Sequence, residues 1–166
     1  MATEKWIAGS GAAGLSWTAI FTSGTTLYDL NTMPNASAAA SSTGAVSNSA
    51  LDTFMDISVT LGSITPSASY LGGLSVFVLP LNQDGTTYGD GQFANTGAQS
   101  AKIPQPGYWV GNITFPPGVA AVQQGVLRGV LLPPEGFQIV IQNNTGVALA
   151  SSGNTVKYWT YNLAVA

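Results

Sequence analysis

The sequence predicts a single all-β domain: a jelly-roll β-sandwich of about eight antiparallel strands with an extended N-terminal arm. In several segments apolar and polar residues alternate with a period of two, the spacing of a half-buried strand. Clusters of Gly, Pro, Asn and Asp separate these segments, as expected at turns. The loops are unequal in length, which favours a jelly roll over an up-and-down barrel. The length of 166 residues is typical of one domain, so residues 1–166 are expected to share one core.

The clearest strand signal lies between Thr53 and Leu61. Alternate positions of this run are apolar, which predicts one buried face: Met55, Ile57, Val59 and Leu61. The next run, Leu74 to Leu81, is apolar on both faces and predicts a more buried strand. Pro80 should end the ladder of that strand or place it at a sheet edge, because proline has no N–H to donate.

Tyr108 to Phe115 is predicted to form a further strand, with Trp109, Ile113 and Phe115 on its inward face. The remaining segments with strand character are Val126 to Leu132, Phe137 to Asn143, Val156 to Val165 and, more weakly, Trp17 to Thr22 and Thr25 to Leu30. No segment combines a helical period with capping residues, so no helix longer than about two turns is expected.

Two segments lack a strand pattern. Residues 1–14 are rich in glycine, which predicts a flexible arm. Trp6 and Ile7 give this arm apolar side chains, as is typical of a docking segment. Lys5, Trp6 and Ile7 are therefore the expected contacts with a partner. Residues 31–50 are rich in Ala and Ser and poor in large apolar side chains. They predict a long exposed loop with room for one helical turn.

Composition argues against several functional classes. The chain has no Cys and no His, which removes disulfides, thiolate metal sites and the commonest general base. A net charge of -3 with four basic residues disfavours nucleic-acid binding. The apolar runs are too short for a membrane span, and the first residues do not resemble a signal peptide. We therefore expect a chain made in the cytoplasm that is not an enzyme and uses no cofactor.

Three motifs have a chemical interpretation and a simpler one. Asp84 and Asp90 lie in a glycine-rich segment, but their spacing does not match a calcium loop and favours two Asp-Gly turns. The stretch from Gly9 to Gly14 matches a dinucleotide fingerprint in letters, without the strand and helix that such a site needs. The tryptophans of the strand segments could stack on sugars, although core packing is the commoner role for such positions.

The C-terminal third carries a resemblance. Its recurring parts are Pro133-Pro-Glu-Gly-Phe before a strand, Asn143-Asn-Thr-Gly as a turn, and Ser152-Gly-Asn-Thr-Val-Lys-Tyr at the start of the last strand. With these parts, Leu132 to Asn162 resembles a segment of small structural proteins of tailed bacteriophages. The chain is similar to capsid cement (decoration) proteins of the jelly-roll kind.

This resemblance implies a structural virion protein that binds and stabilises the outer surface of an HK97-type capsid. The implied partners are the major capsid protein and copies of the chain itself, in a homodimer or homotrimer, with neither nucleic acid nor membrane. The implied location is the outer capsid surface of the virion, after synthesis in the host cytoplasm. The alternative is a carbohydrate-binding jelly-roll module of a phage tail fibre or another virion appendage.

Overall fold

The computed structural model describes residues 4–8, 18–19, 30–41, 46–68, 73–85, 87–89 and 103–165. The strands are β1 (Glu4–Ala8), β2 (Thr18–Ala19), β3 (Ala38–Ala40), β4 (Val46–Ser47), β5 (Phe54–Ile64), β6 (Gly73–Pro80), β7 (Trp109–Thr114), β8 (Ala121–Leu131), β9 (Gly136–Asn144) and β10 (Thr155–Val165), with one 3-10 turn at Pro106–Tyr108.

The strands form two antiparallel sheets. Sheet A has the order β1-β10-β5-β8, and sheet B has the order β3-β9-β6-β7. Two short strands pair off these paths, β2 with β10 and β4 with β9. The chain pairs from its ends inward, because β1 pairs with β10, β3 and β4 with β9, β5 with β8, and β6 with β7. This nested order, split between two sheets, is that of a jelly roll and confirms the predicted fold class.

The core lies between the two sheets and follows the predicted alternation. The inward residues of the longest predicted strand are fully buried: Met55, Ile57, Val59 and Leu61. On β9, Phe137, Ile139 and Ile141 face them from the other sheet, also with no exposed surface. Burial of this kind, at roughly 25 cal/mol per Å² of apolar area, is the main favourable term in folding.

Sheet B is also covered over part of its outer face. Phe77, Leu79 and Val140 form a second apolar cluster there, which Tyr88 covers from the segment after β6. This second cluster explains why β6 is apolar on both faces. Pro80 is the last residue of β6, as its missing N–H predicted.

The predicted loop over residues 31–50 is corrected in part. Its described portion contains the short strands β3 and β4, both paired with β9. Ala38, Ala39 and Ala40 are buried rather than exposed. Alanine side chains are small enough for this edge strand to be covered on both faces.

The predicted flexible arm is also corrected in part. Glu4–Ala8 is an edge strand of sheet A, in which Trp6 pairs with Leu163 and Ala8 pairs with Tyr161. Residues 1–3 and 9–14 lie outside the described residues. Of the weaker strand candidates near the start, only Thr18–Ala19 is described as a strand.

The inward face predicted for β7 is wrong at Trp109. Ile113 and Phe115 are buried as expected, whereas Trp109 is 51% exposed. The cause is an extra residue in β7, since Gly111 pairs with Val76 and Trp109 pairs with the next residue of β6. Such a bulge reverses the alternation of faces and therefore turns Trp109 outward.

Candidate functional site

An aromatic cluster lies on the outer face of sheet A. The rings of Phe54 and Tyr161 stack with their centroids 5.8 Å apart and their planes inclined by 21°. Trp159 also lies 5.8 Å from Tyr161, with the planes inclined by 55°. Both distances are in the favourable range for aromatic pairs. The cluster joins β5 to β10 and stabilises the middle of the sheet.

Beside this cluster lies a buried carboxylate, Asp56, which is 4% exposed. Its Oδ1 accepts hydrogen bonds from the Tyr161 hydroxyl at 2.8 Å and from the Gly129 N–H at 3.0 Å. Nη1 of Arg128 lies 3.7 Å from Oδ2, but the Arg128 side chain is 78% exposed, so water screens this ion pair. The two hydrogen bonds are therefore the main compensation for burying the charge.

The same contact changes the acidity of the tyrosine. Burial, then the hydrogen bond to Asp56 and its negative charge, raise the pKa of Tyr161 to about 12. The hydroxyl is therefore protonated near neutral pH and acts as a hydrogen-bond donor. Its role in this arrangement is structural, since it holds β10 to the carboxylate of β5.

Asp56 also stabilises a bulge in β8. The register of β5 and β8 shifts between Met55 and Ile57, and Gly129 has a φ of 68°. This left-handed conformation favours glycine and directs the Gly129 N–H toward the carboxylate. The bulge sets the faces at the end of β8, with Val130 buried and Leu131 exposed.

β8, the last strand in the described order of sheet A, carries the largest group of exposed apolar side chains on one described strand. β8 pairs with β5 and with no other strand of the described chain. Val122 is 58% exposed, Val126 43% and Leu131 67%. A long edge strand with exposed apolar side chains is a template for contact with another chain.

The loop that precedes β5 has a strained backbone. Leu51 has a φ of 55° and is 66% exposed. A buried amide fixes the loop: Nδ2 of Asn48 donates to the carbonyls of Asp52 and Pro133 at 2.9 and 2.8 Å. A side chain held in a left-handed conformation costs about 1–3 kcal/mol, and such strain clusters at functional surfaces. The bond to Pro133 ties this loop to the chain just after β8, and Leu51 is a further exposed apolar side chain of the loop.

A second surface lies on the outer face of sheet B, where Trp109 is fixed by a row of polar side chains. Nε1 of Trp109 donates to Oδ1 of Asn112 at 3.1 Å, and the Ser75 hydroxyl donates to the same oxygen at 2.9 Å. Nδ2 of Asn144 donates to the Ser75 oxygen at 2.8 Å. The row crosses three neighbouring strands, β7, β6 and β9.

The predicted contact residues Lys5, Trp6 and Ile7 are consecutive in β1, at the edge of sheet A opposite β8. The structure therefore separates them from the apolar edge by the width of the sheet. The sequence did not reveal that apolar edge. Val122 and Val126 share a face of β8, but the predicted strand began only at Val126.

The segment with Asp84 and Asp90, for which the sequence favours two Asp-Gly turns over a calcium loop, is partly described. The carboxylate of Asp84 accepts hydrogen bonds from the N–H and the hydroxyl of Thr87, at 2.8 and 2.6 Å, as in a turn. Asp90 lies outside the described residues. Among the residues that the structure describes, no three His, Cys, Asp or Glu side chains group as metal ligands. No described helix is both long and apolar enough to cross a bilayer.

Comparisons of the chain with protein-family models, with curated proteins and with solved structures found no match. The surfaces of the molecule and its C-terminal motifs are therefore the features that bear on function.

Proposed function

We propose that this chain is a structural virion protein, a capsid cement protein that binds the outer surface of an HK97-type capsid and stabilises it. The fold supports the proposal. The segment that resembles cement proteins, Leu132 to Asn162, contains β9 and most of β10. These strands lie inside the two sheets of a jelly roll, which is the fold that the resemblance implies.

The observation that carries the proposal is the apolar edge of β8. A cement protein has to make stable protein contacts in many copies. This edge offers backbone that pairs with no further strand of the described chain, together with exposed Val122, Val126 and Leu131. Complete burial of one such side chain contributes about 1.5–3 kcal/mol, so covering partly exposed side chains such as Val122 and Val126 favours the contact. The backbone groups of the edge can pair with another strand.

The occupant of the β8 edge is a second copy of the chain. Antiparallel pairing of two β8 strands about a two-fold axis at Gln124 places Val122 of each copy opposite Val126 of the other. Arg128 is the one charged residue of β8 and lies opposite Ala120 of the second copy in this register. The two like charges are therefore eight positions apart along the paired strands, and the contact carries little repulsion.

Lys5, Trp6 and Ile7, in β1, are proposed to contact the major capsid protein. β1 is the opposite edge of sheet A, so one molecule can contact a second copy and the shell at the same time. Neither contact requires an enzymatic activity, a cofactor, nucleic acid or a membrane. The protein would be made in the host cytoplasm and would reside on the outside of the virion.

A pair of lysine substitutions tests this assignment. Val126→Lys places a charge in the proposed contact, whereas Ile103→Lys places the same charge at an exposed apolar residue outside β8. Light scattering after size-exclusion chromatography should give a dimer mass for the wild type and Ile103→Lys, and a monomer mass for Val126→Lys. Cosedimentation with undecorated capsids should show weaker binding for Val126→Lys alone, since it loses the avidity of the dimer. Equal masses for all three proteins would exclude the β8 contact, and a wild type that does not bind capsids would exclude the cement function.

A further inference from the structure

We propose that the outer face of sheet B binds a neutral oligosaccharide through Trp109 and the polar row beside it. This face belongs to sheet B, whereas the β8 edge belongs to sheet A. Sugar binding here does not depend on the cement function.

Trp109 has the properties of a sugar-stacking platform. Its ring is 51% exposed because the bulge at Gly111 turns it outward. The hydrogen bond from Nε1 to Asn112 at 3.1 Å fixes the orientation of the ring before any ligand arrives. A ring that is already fixed loses little conformational freedom on binding, and its apolar face can cover the C–H face of a sugar.

Asn112 supplies the first polar group that can bond to the sugar. Its Oδ1 already accepts two hydrogen bonds, from Trp109 and Ser75. These bonds orient the amide so that Nδ2, with two N–H groups, is the part available to a ligand. An oriented amide beside an exposed indole is the pairing that a sugar requires, since a sugar presents both an apolar face and hydroxyl groups.

The polar row continues away from Trp109. Ser75 pairs with Asn112 on one side and with Gln142 on the other, and Asn144 donates to the Ser75 hydroxyl at 2.8 Å. Three strands at about 4.8 Å spacing span roughly 10 Å. This length suits linked sugar rings better than a single one.

The charge of the patch selects a neutral ligand. Its described side chains are all uncharged: Ser75, Trp109, Asn112, Thr114, Gln142 and Asn144. Since none of these described residues is basic, a phosphorylated or acidic sugar would lose hydration beside them without gaining an ion pair. Amide and hydroxyl groups can donate to and accept from the hydroxyls of a neutral sugar.

The test is a nuclear magnetic resonance titration of the isotope-labelled full chain with three neutral hexasaccharides, maltohexaose, mannohexaose and chitohexaose. We expect at least one of them to shift the Trp109 indole N–H and the Asn112 side-chain amide signals in a saturable way. Trp109→Ala should weaken that binding about tenfold or more, because the stacking surface is lost. Asn112→Ala should weaken it while the indole is retained. Ile103→Ala, which removes an exposed apolar side chain outside the patch, should leave the affinity unchanged.

Two results would overturn the proposal. One is the absence of saturable shifts at these signals with all three sugars. The other is binding that Trp109→Ala leaves intact. Amide spectra of both variants that match the wild type away from the patch will show that each is folded, so a lost affinity reports on the site.

Discussion

The hydroxyl of Tyr161 donates a 2.8 Å hydrogen bond to Oδ1 of Asp56, across two neighbouring strands of sheet A. The same oxygen accepts the N–H of Gly129 at the bulge of β8. One buried carboxylate therefore joins β10, β5 and β8. Because β8 is the proposed contact edge, this carboxylate links the stability of the sheet to the shape of that edge.

The Tyr161 hydroxyl should stabilise the fold measurably. Tyr161→Phe leaves the buried carboxylate with one donor fewer, and a hydrogen bond to a charged group contributes about 1.5–3 kcal/mol. Tyr158→Phe is the matched control on the same strand, because the structure gives the Tyr158 hydroxyl no side-chain hydrogen bond within the described residues. The free energy of unfolding measured in urea should fall by this amount for Tyr161→Phe and change little for Tyr158→Phe. Equal losses would contradict this role of Asp56.

The stabilisation of the folded state by the Tyr161 hydroxyl should disappear at alkaline pH. The pKa of Tyr161 rises from 10.0 to about 12 on folding, chiefly by burial, so the folded state binds the proton more tightly. The resulting stabilisation is complete below pH 10 and is lost as the pH rises through the folded pKa. The difference in unfolding free energy between wild type and Tyr161→Phe should therefore narrow above about pH 10. A difference that stays constant up to about pH 12 would show that the tyrosine is not the group that titrates.

The bulge of β8 should require glycine at position 129. A Cβ at Gly129 would meet nothing within 4 Å, so the cost of Gly129→Ala is the left-handed φ of 68° alone, about 1–2 kcal/mol. Gly107→Ala is the control, since that site is equally open and has no left-handed φ. In thermal unfolding, Gly129→Ala should have a lower melting temperature than Gly107→Ala. Similar melting temperatures would mean that the bulge adapts to a side chain.

Deletion of β1 should weaken attachment to the capsid without preventing the chain from folding. A chain without residues 1–8 loses five residue pairs with β10, but β10 keeps its full pairing with β5. We expect this chain to unfold cooperatively at a lower temperature and to bind capsids more weakly. A chain without residues 1–3 keeps β1 and is the control. Undiminished capsid binding by the folded deletion would show that Lys5, Trp6 and Ile7 do not contact the shell.

The sequence predicted the strands whose alternation comes from burying one face. The period of two is a local property, so Met55 to Leu61 and Phe137 to Ile141 could be assigned to the core without knowledge of their partners. The unequal loops favoured a jelly roll, whereas the order of the strands in its two sheets was not predicted from the sequence. The alanine strand β3 was missed because it has no large apolar side chain to mark a buried face.

The two candidate surfaces were harder to predict, because they depend on partners that are distant in sequence. Val126 pairs with Ser58 on β5, and nothing near Val126 indicates that its other side is open. Trp109 faces outward because of one extra residue at a bulge, which the local alternation does not reveal. Edges and bulges are properties of strand pairing and only become visible in the folded chain.

The most direct test of the cement function is to locate and count the protein in the purified virion that contains it, by electron cryomicroscopy together with quantitative mass spectrometry. We expect many symmetry-related copies on the outer capsid surface, with β8 at the contact between copies and β1 toward the shell. A handful of copies confined to a tail fibre or another appendage, or a capsid without the chain, would contradict it.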